Sequence, residues 1–280
     1  MKILILTDLE GVAGVSVDRQ LNDIANPYYR MAREFLADEV NAAVLGAKEA
    51  GATEVVVADG HGTGFDLMLD CGRISPAATF ITGEGNPLVA VDDTFSAFFM
   101  VGQHPRRGPR GVLEHTGSNL GNQGTWLNDV EVGEAGLLTA ILAERGIPLA
   151  LLTGDEEVVA EMTPLVQGFI GVPVKRALAR QLCVSLHPAE ACRLIREGAS
   201  RAVKALDKIR SWHLSPPYVL TIAFGSCAIA ERYAPLIDGE AGRASGLLPY
   251  VTRVNENTVR VSAPTLRELG ERHYLLNRIV

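Results

Sequence analysis

Long apolar runs, basic stretches, paired cysteines and glycine-rich phosphate loops are all scarce in this chain. Each scarcity removes a class of protein. No apolar run in the 280 residues approaches the ~20 needed to cross a bilayer, so no membrane partner is expected. The four cysteines (Cys71, Cys183, Cys192 and Cys227) form no C-x-x-C pair and read as reduced thiols of a cytoplasmic protein. Lys2 leads straight into a strand-like segment without a leader pattern, which fits the same compartment. Lysine and arginine number 26 against 33 acidic residues, for a net charge of −7. That balance, with a pI near 5.4, argues against a nucleic-acid partner. The basic cluster over 105–110 is too short to change this. Neither G-x-G-x-x-G nor G-K-[ST] occurs, so the turn Gly11-Val12-Ala13-Gly14 is not expected to cradle a nucleotide.

What is present is a globular composition, 47% apolar and 21% charged, with room for one large or two smaller domains. The apolar stretch Ile3–Thr7 reads as a strand buried on both faces. A helix follows from Asn26-Pro27 to about Ala50, with Ala32, Phe35, Leu36, Val40, Ala43, Val44 and Ala47 on one stripe, and then a strand at Glu54–Ala58. Strand, helix, strand predicts adjacent parallel strands. Further strands are expected near Thr79–Thr82, Ala97–Gly102, Trp126–Val132, Ile147–Thr153, Val172–Lys175 and Tyr218–Phe224. A hairpin is expected across Asn255-Glu256-Asn257, and helices over 133–145, 155–162, 188–206, 228–233 and 264–278. The fold class is therefore α/β, a mostly parallel sheet flanked by helices with a smaller α/β second half. Residues 1–160 are expected to form the metal-binding core, and residues 161–280 a second subdomain serving oligomerisation.

The polar residues at strand ends carry the chemistry. The first strand runs into Asp8 and Glu10, two apart, so an extended backbone points both carboxylates the same way. Buried together and unpaired they repel, and a cation removes that cost. His61 follows the strand ending at Asp59, His104 follows the strand ending near Gly102, and Glu134 opens a helix after a strand. In an open parallel sheet such positions converge on one crevice. Three carboxylates and two imidazoles suit a divalent transition metal, zinc first. Five ligands exceed one open zinc site and fit two ions sharing a carboxylate. The plain alternative is a set of histidines each satisfied by backbone, with Asp8 capping a turn and Glu10 in solvent. The loop 105–124, which holds His115, is long enough to be functional. His187, His213 and His273 read as surface or core residues.

Asp8-Leu9-Glu10-Gly11, Asp59-Gly60-His61, Asp92-Asp93-Thr94-Phe95, Gly102-Gln103-His104, Gly111-Val112-Leu113-Glu114-His115 and Asn128-Asp129…Val132-Gly133-Glu134 occur in this order. In these motifs the chain resembles the D-aminopeptidases of bacterial dipeptide operons, peptidase family M55. The resemblance implies two zinc ions bridged by Asp8, one completed by Glu10 and His104, the other by His61 and Glu134. It implies His115 as the catalytic residue, and a homo-oligomeric, decameric ring. Gly60, Gln103, Glu114 and Thr116 depart from the family pattern, which bears on substrate preference more than on metal binding. The expected reaction is hydrolysis of an N-terminal residue, D by resemblance alone, from a short peptide or amino-acid amide. His115 serves as general acid/base or oxyanion donor, with nucleophile the remaining role. Two rival readings use the same ligands: a two-metal phosphoesterase and a non-catalytic metal-binding assembly protein.

Overall fold

The computed structural model describes residues 1–61, 66–83, 85–108, 110–117, 121–237, 239–246 and 249–279. Gly62 and residues 109 and 118–120 of the long loop lie outside the described residues. In chain order the elements are β1 (Lys2–Thr7), α1 (Pro27–Glu49), β2 (Glu54–Asp59), β3 (Ala78–Ile81), β4 (Phe95–Gln103), β5 (Asn122–Leu127) and β6 (Val130–Glu131). Next come α2 (Glu134–Glu144), β7 (Leu149–Asp155), α3 (Glu156–Met162), β8 (Ile170–Ala179), β9 (Leu182–Ser185) and α4 (Pro188–Lys204). The chain closes with β10 (Tyr218–Phe224), α5 (Cys227–Glu231), α6 (Ala234–Ile237), α7 (Glu240–Ser245), β11 (Val251–Asn255), β12 (Thr258–Ala263) and α8 (Leu266–Ile279).

These elements group into two compact units, each discontinuous in sequence: Met1–Glu114 with Arg145–Trp212, and His115–Glu144 with His213–Val280. The grouping differs from a contiguous division at residue 160. The reason is strand pairing: β8 hydrogen-bonds to β7 and so extends the first sheet well past that point.

The first unit is a seven-stranded sheet in the order β3-β2-β1-β4-β7-β8-β9. All pairs are parallel except the last, where β9 returns antiparallel along β8. Its central strands carry apolar runs through their middles, and Ile3, Leu4, Ile5, Phe98 and Phe99 have no exposed surface. Such strands need cover on both faces. Asn26 caps α1 by accepting from the Tyr28 amide at 3.0 Å, and Pro27 occupies the first turn. Helix α1 buries Ala32, Leu36, Val40, Ala43, Val44 and Ala47, and packs on α4 as well as on the sheet. Because the chain builds outward from β1 through β2 to β3, then crosses to β4, the order reverses between β1 and β4. That reversal is where an open α/β sheet leaves a crevice at the carboxyl ends of its strands.

The second unit is a five-stranded antiparallel sheet, β11-β12-β10-β5-β6. Burial alternates strictly along β10 between Tyr218 and Phe224, the pattern of a sheet covered on one face. The segment expected as one strand over 126–132 is a hairpin instead. Asn128 takes φ 53°, a left-handed turn position that asparagine tolerates. The cysteines, all four described, carry no disulfide. No helix among the described residues is long and apolar enough to cross a membrane.

Candidate metal centre and active site

At the β1/β4 reversal, Thr7 pairs with Asp59 on one side and Val101 on the other. The segments leaving these strands therefore start side by side. Gly102 has φ +79°, and a β-carbon there would stand 2.1 Å from the Asp8 carbonyl oxygen. Only glycine lets β4 approach the end of β1 so closely. The Asp8 amide donates to Val101 O at 2.8 Å, and Gly11 N donates to Gly102 O at 2.7 Å, which ties the two strand ends together.

Four of the six expected site residues meet here. Asp8, Glu10 and His104 are 7%, 4% and 2% exposed, and one ligand atom from each lies within 4.8 Å of the others. Asp8 Oδ2 is 3.3 Å from His104 Nε2, and Glu10 Oε1 is 3.6 Å from His61 Nε2. Glu10 is buried, not solvent-facing. Asp59 orients the neighbouring turn: its Oδ1 accepts from Thr7 Oγ1 at 2.9 Å and from the His61 amide at 3.3 Å.

The donor chemistry fits a cation. His104 Nδ1 is 2.9 Å from Pro105 O, which can only accept, so Nδ1 carries the proton. In the neutral ring, Nε2 then presents a lone pair toward the Asp8 carboxylate. Two lone-pair donors facing each other in a buried site require a proton or a metal between them. An imidazole fixed by a carbonyl behind it is also the usual arrangement of a ligating histidine. Asp8 is held in turn: Oδ1 accepts from Leu9 N at 2.9 Å and Oδ2 from Gln103 Nε2 at 2.8 Å. Gln103, one of the departures from the family pattern, thus touches a proposed ligand. Gly60, another departure, leaves room where a β-carbon would stand 2.6 Å from Thr7 O.

The other two expected residues, His115 and Glu134, belong to the second unit and meet there. His115 Nε2 is 3.9 Å from Glu134 Oε1, and the Gly117 amide donates to that oxygen at 2.7 Å. Glu134 sits in the first turn of α2, where the helix dipole favours a carboxylate. Beside it opens a cavity of about 310 Å³ lined by Leu137, Ile222, Phe224, Tyr233 and His273, among others. Phe224 and Tyr233 stack with ring centroids 5.0 Å apart. His273 carried no signal in the sequence beyond being a histidine in a helix. Loss of hydration around its ring drives its pKa down to about 4, with the Glu134 carboxylate opposing, so the ring is neutral near pH 7.

The family model for D-aminopeptidases matches residues 1–272. The chain belongs to the D-aminopeptidase family. A D-aminopeptidase of Bacillus subtilis (strain 168) is 31% identical over 244 residues, spanning 85% of this chain and 86% of that one. A solved structure, described as the Zn-dependent D-aminopeptidase DppA from Bacillus subtilis, a self-compartmentalizing protease, is similar with a TM-score of 0.88. That likeness covers all of this chain and 97% of the other at 27% identity. The carboxylates and imidazoles gathered in the first unit are thus those of a D-aminopeptidase-family chain, and they suit the metal named for its structural relative.

Proposed function

We propose that this chain is a cytoplasmic, zinc-dependent aminopeptidase that releases the N-terminal residue, a D-residue by family, from short peptides or amino-acid amides. The observation carrying the metal part is the buried cluster of Asp8, Glu10 and His104, with Nδ1 of His104 fixed on a carbonyl. Asp8, Glu10, His61, His104 and Glu134 are the proposed ligands of two zinc ions, with Asp8 bridging. Zinc held there supplies Lewis acidity for polarising an acyl carbonyl and acidifying water.

The chain's own groups do the rest. Gln103 keeps Asp8 in one orientation, and Asp59 sets the turn that carries His61. His115 is the proposed acid/base group, moving a proton at Nε2, the nitrogen that lies 3.9 Å from Glu134 Oε1. A side pocket of about 310 Å³ with apolar residues on its wall suits one small or medium side chain rather than an extended peptide. The relative's self-compartmentalizing character supports the further proposal of a homo-oligomer, a decameric ring by family.

Chelation followed by zinc add-back, assayed on paired D- and L-dipeptides, amides and phosphoryl esters, tests this reading. Activity on D-aminoacyl substrates should vanish with the chelator and return with zinc. Full activity after chelation, or turnover of phosphoryl esters alone, would contradict it.

A further inference from the structure

The segment that carries Glu10 has no regular secondary structure, yet it is buried: Gly11, Val12, Ala13 and Val15 are all inside. Backbone polar groups enclosed this way need partners. The main one is Lys175 of β8, itself 4% exposed. Its Nζ donates to the carbonyl oxygens of Glu10, Val12 (3.1 Å) and Val15 (2.6 Å). An ammonium has three N–H bonds, and all three are spent on this one loop. No other side chain carries three N–H donors on a single nitrogen. Further bonds finish the loop: Glu39 of α1 accepts from Ala13 N at 2.8 Å, Ser185 of β9 accepts from Gly14 N at 2.9 Å, and Gln20 donates to Gly14 O at 3.0 Å.

The bond to Glu10 O decides the function. It fixes the peptide plane immediately after Glu10, and with it the direction in which the Glu10 carboxylate leaves the backbone. Asp8 is held differently, by Leu9 N and Gln103. We infer that Lys175 is a positioning residue: through three carbonyl contacts it aims Glu10 for metal binding and leaves Asp8 unaffected. This rests on the reading of Glu10 as a zinc ligand. The site is spread over 165 residues of sequence, from Glu10 to Lys175.

The test compares zinc affinity, by chelator competition, in the wild type, Lys175→Met and Ile195→Ala. Ile195 is fully buried in α4, and its truncation gives a destabilised control whose loop is intact. Lys175→Met should bind zinc about 10–100-fold more weakly, as expected when a supporting partner of a ligand is lost. Its cobalt-substituted form should show an altered visible band. Ile195→Ala should lose thermal stability and keep wild-type affinity and spectrum. If Lys175→Met is insoluble, Lys175→Arg carries the same comparison, since it keeps the charge and displaces the donors. Wild-type affinity and spectrum in a folded Lys175 variant would overturn the inference while leaving the zinc reading standing. A wild type that binds no zinc would overturn both.

Discussion

At the scale of single residues, the proposed roles separate holding metal from moving protons. Asp8→Asn keeps the shape and the contact with Leu9 N but removes the charge, so, with Asp8 as the proposed bridge, both proposed ions should be lost together, which metal analysis of the purified variant would show. His115→Ala should keep the metal and lose turnover by about 10²–10⁴-fold, the usual worth of a general acid/base. Loss of zinc in the second variant would instead make His115 a ligand.

Glu39 makes a separate, pH-dependent prediction. Burial raises its pKa from 4.5 to about 7, against the Ala13 amide and the Lys175 charge, which lower it. Lys175, brought down to about 8 by its own burial, stays charged through that range. A carboxyl with a raised pKa in the folded state contributes fully below pH 4.5 and loses that contribution as pH climbs through about 7. The amount is on the order of 3 kcal/mol. Glu39→Gln keeps an oxygen for Ala13 N without the ionisation. Its urea-unfolding free energy should therefore stay flatter between pH 5 and 7 than that of the wild type. Parallel pH profiles would exclude the effect.

At the scale of elements, the first strand and its neighbours were readable because apolar runs and strand-end carboxylates are local signals. Lys175, Gln103 and Asp59 were not. Lys175 looks ordinary within its own strand, and although Gln103 and Asp59 stand in recognisable motifs, the groups they hold on Asp8 and Thr7 lie 95 and 52 residues away. Strand β9 was missed for a related reason. Leu182–Ser185 is short, lies at the sheet edge, and is fixed by pairing with β8 rather than by its own pattern. The antiparallel second sheet was also invisible as such, since β5 and β10 pair across nearly a hundred residues. The Gly102 prediction belongs here. A methyl group at that position meets the Asp8 carbonyl, and φ +79° is strained for alanine. Gly102→Ala should cost about 3 kcal/mol or more, and the β1/β4 ends should part. A thermal melt within experimental error of the wild type would show that the strand ends tolerate the spacing.

At the scale of the whole molecule, a chain that matches a self-compartmentalizing protease along its full length is expected to assemble. Light scattering should give a multiple of the 30.0 kDa chain, with ten chains as the family-based value, and a mass of one chain would contradict assembly. Compartmentation also makes a kinetic claim. If active sites are reached only through an assembled interior, substrate size rather than sequence sets access. Short D-aminoacyl peptides should then be hydrolysed at a rate independent of a folded carrier protein present in excess. The same N-terminal residue fused to that carrier should be cut far more slowly. Dissociating the assembly with mild denaturant should narrow that gap before activity is lost. A gap that stays constant while the mass falls to 30.0 kDa would locate the size limit within one chain.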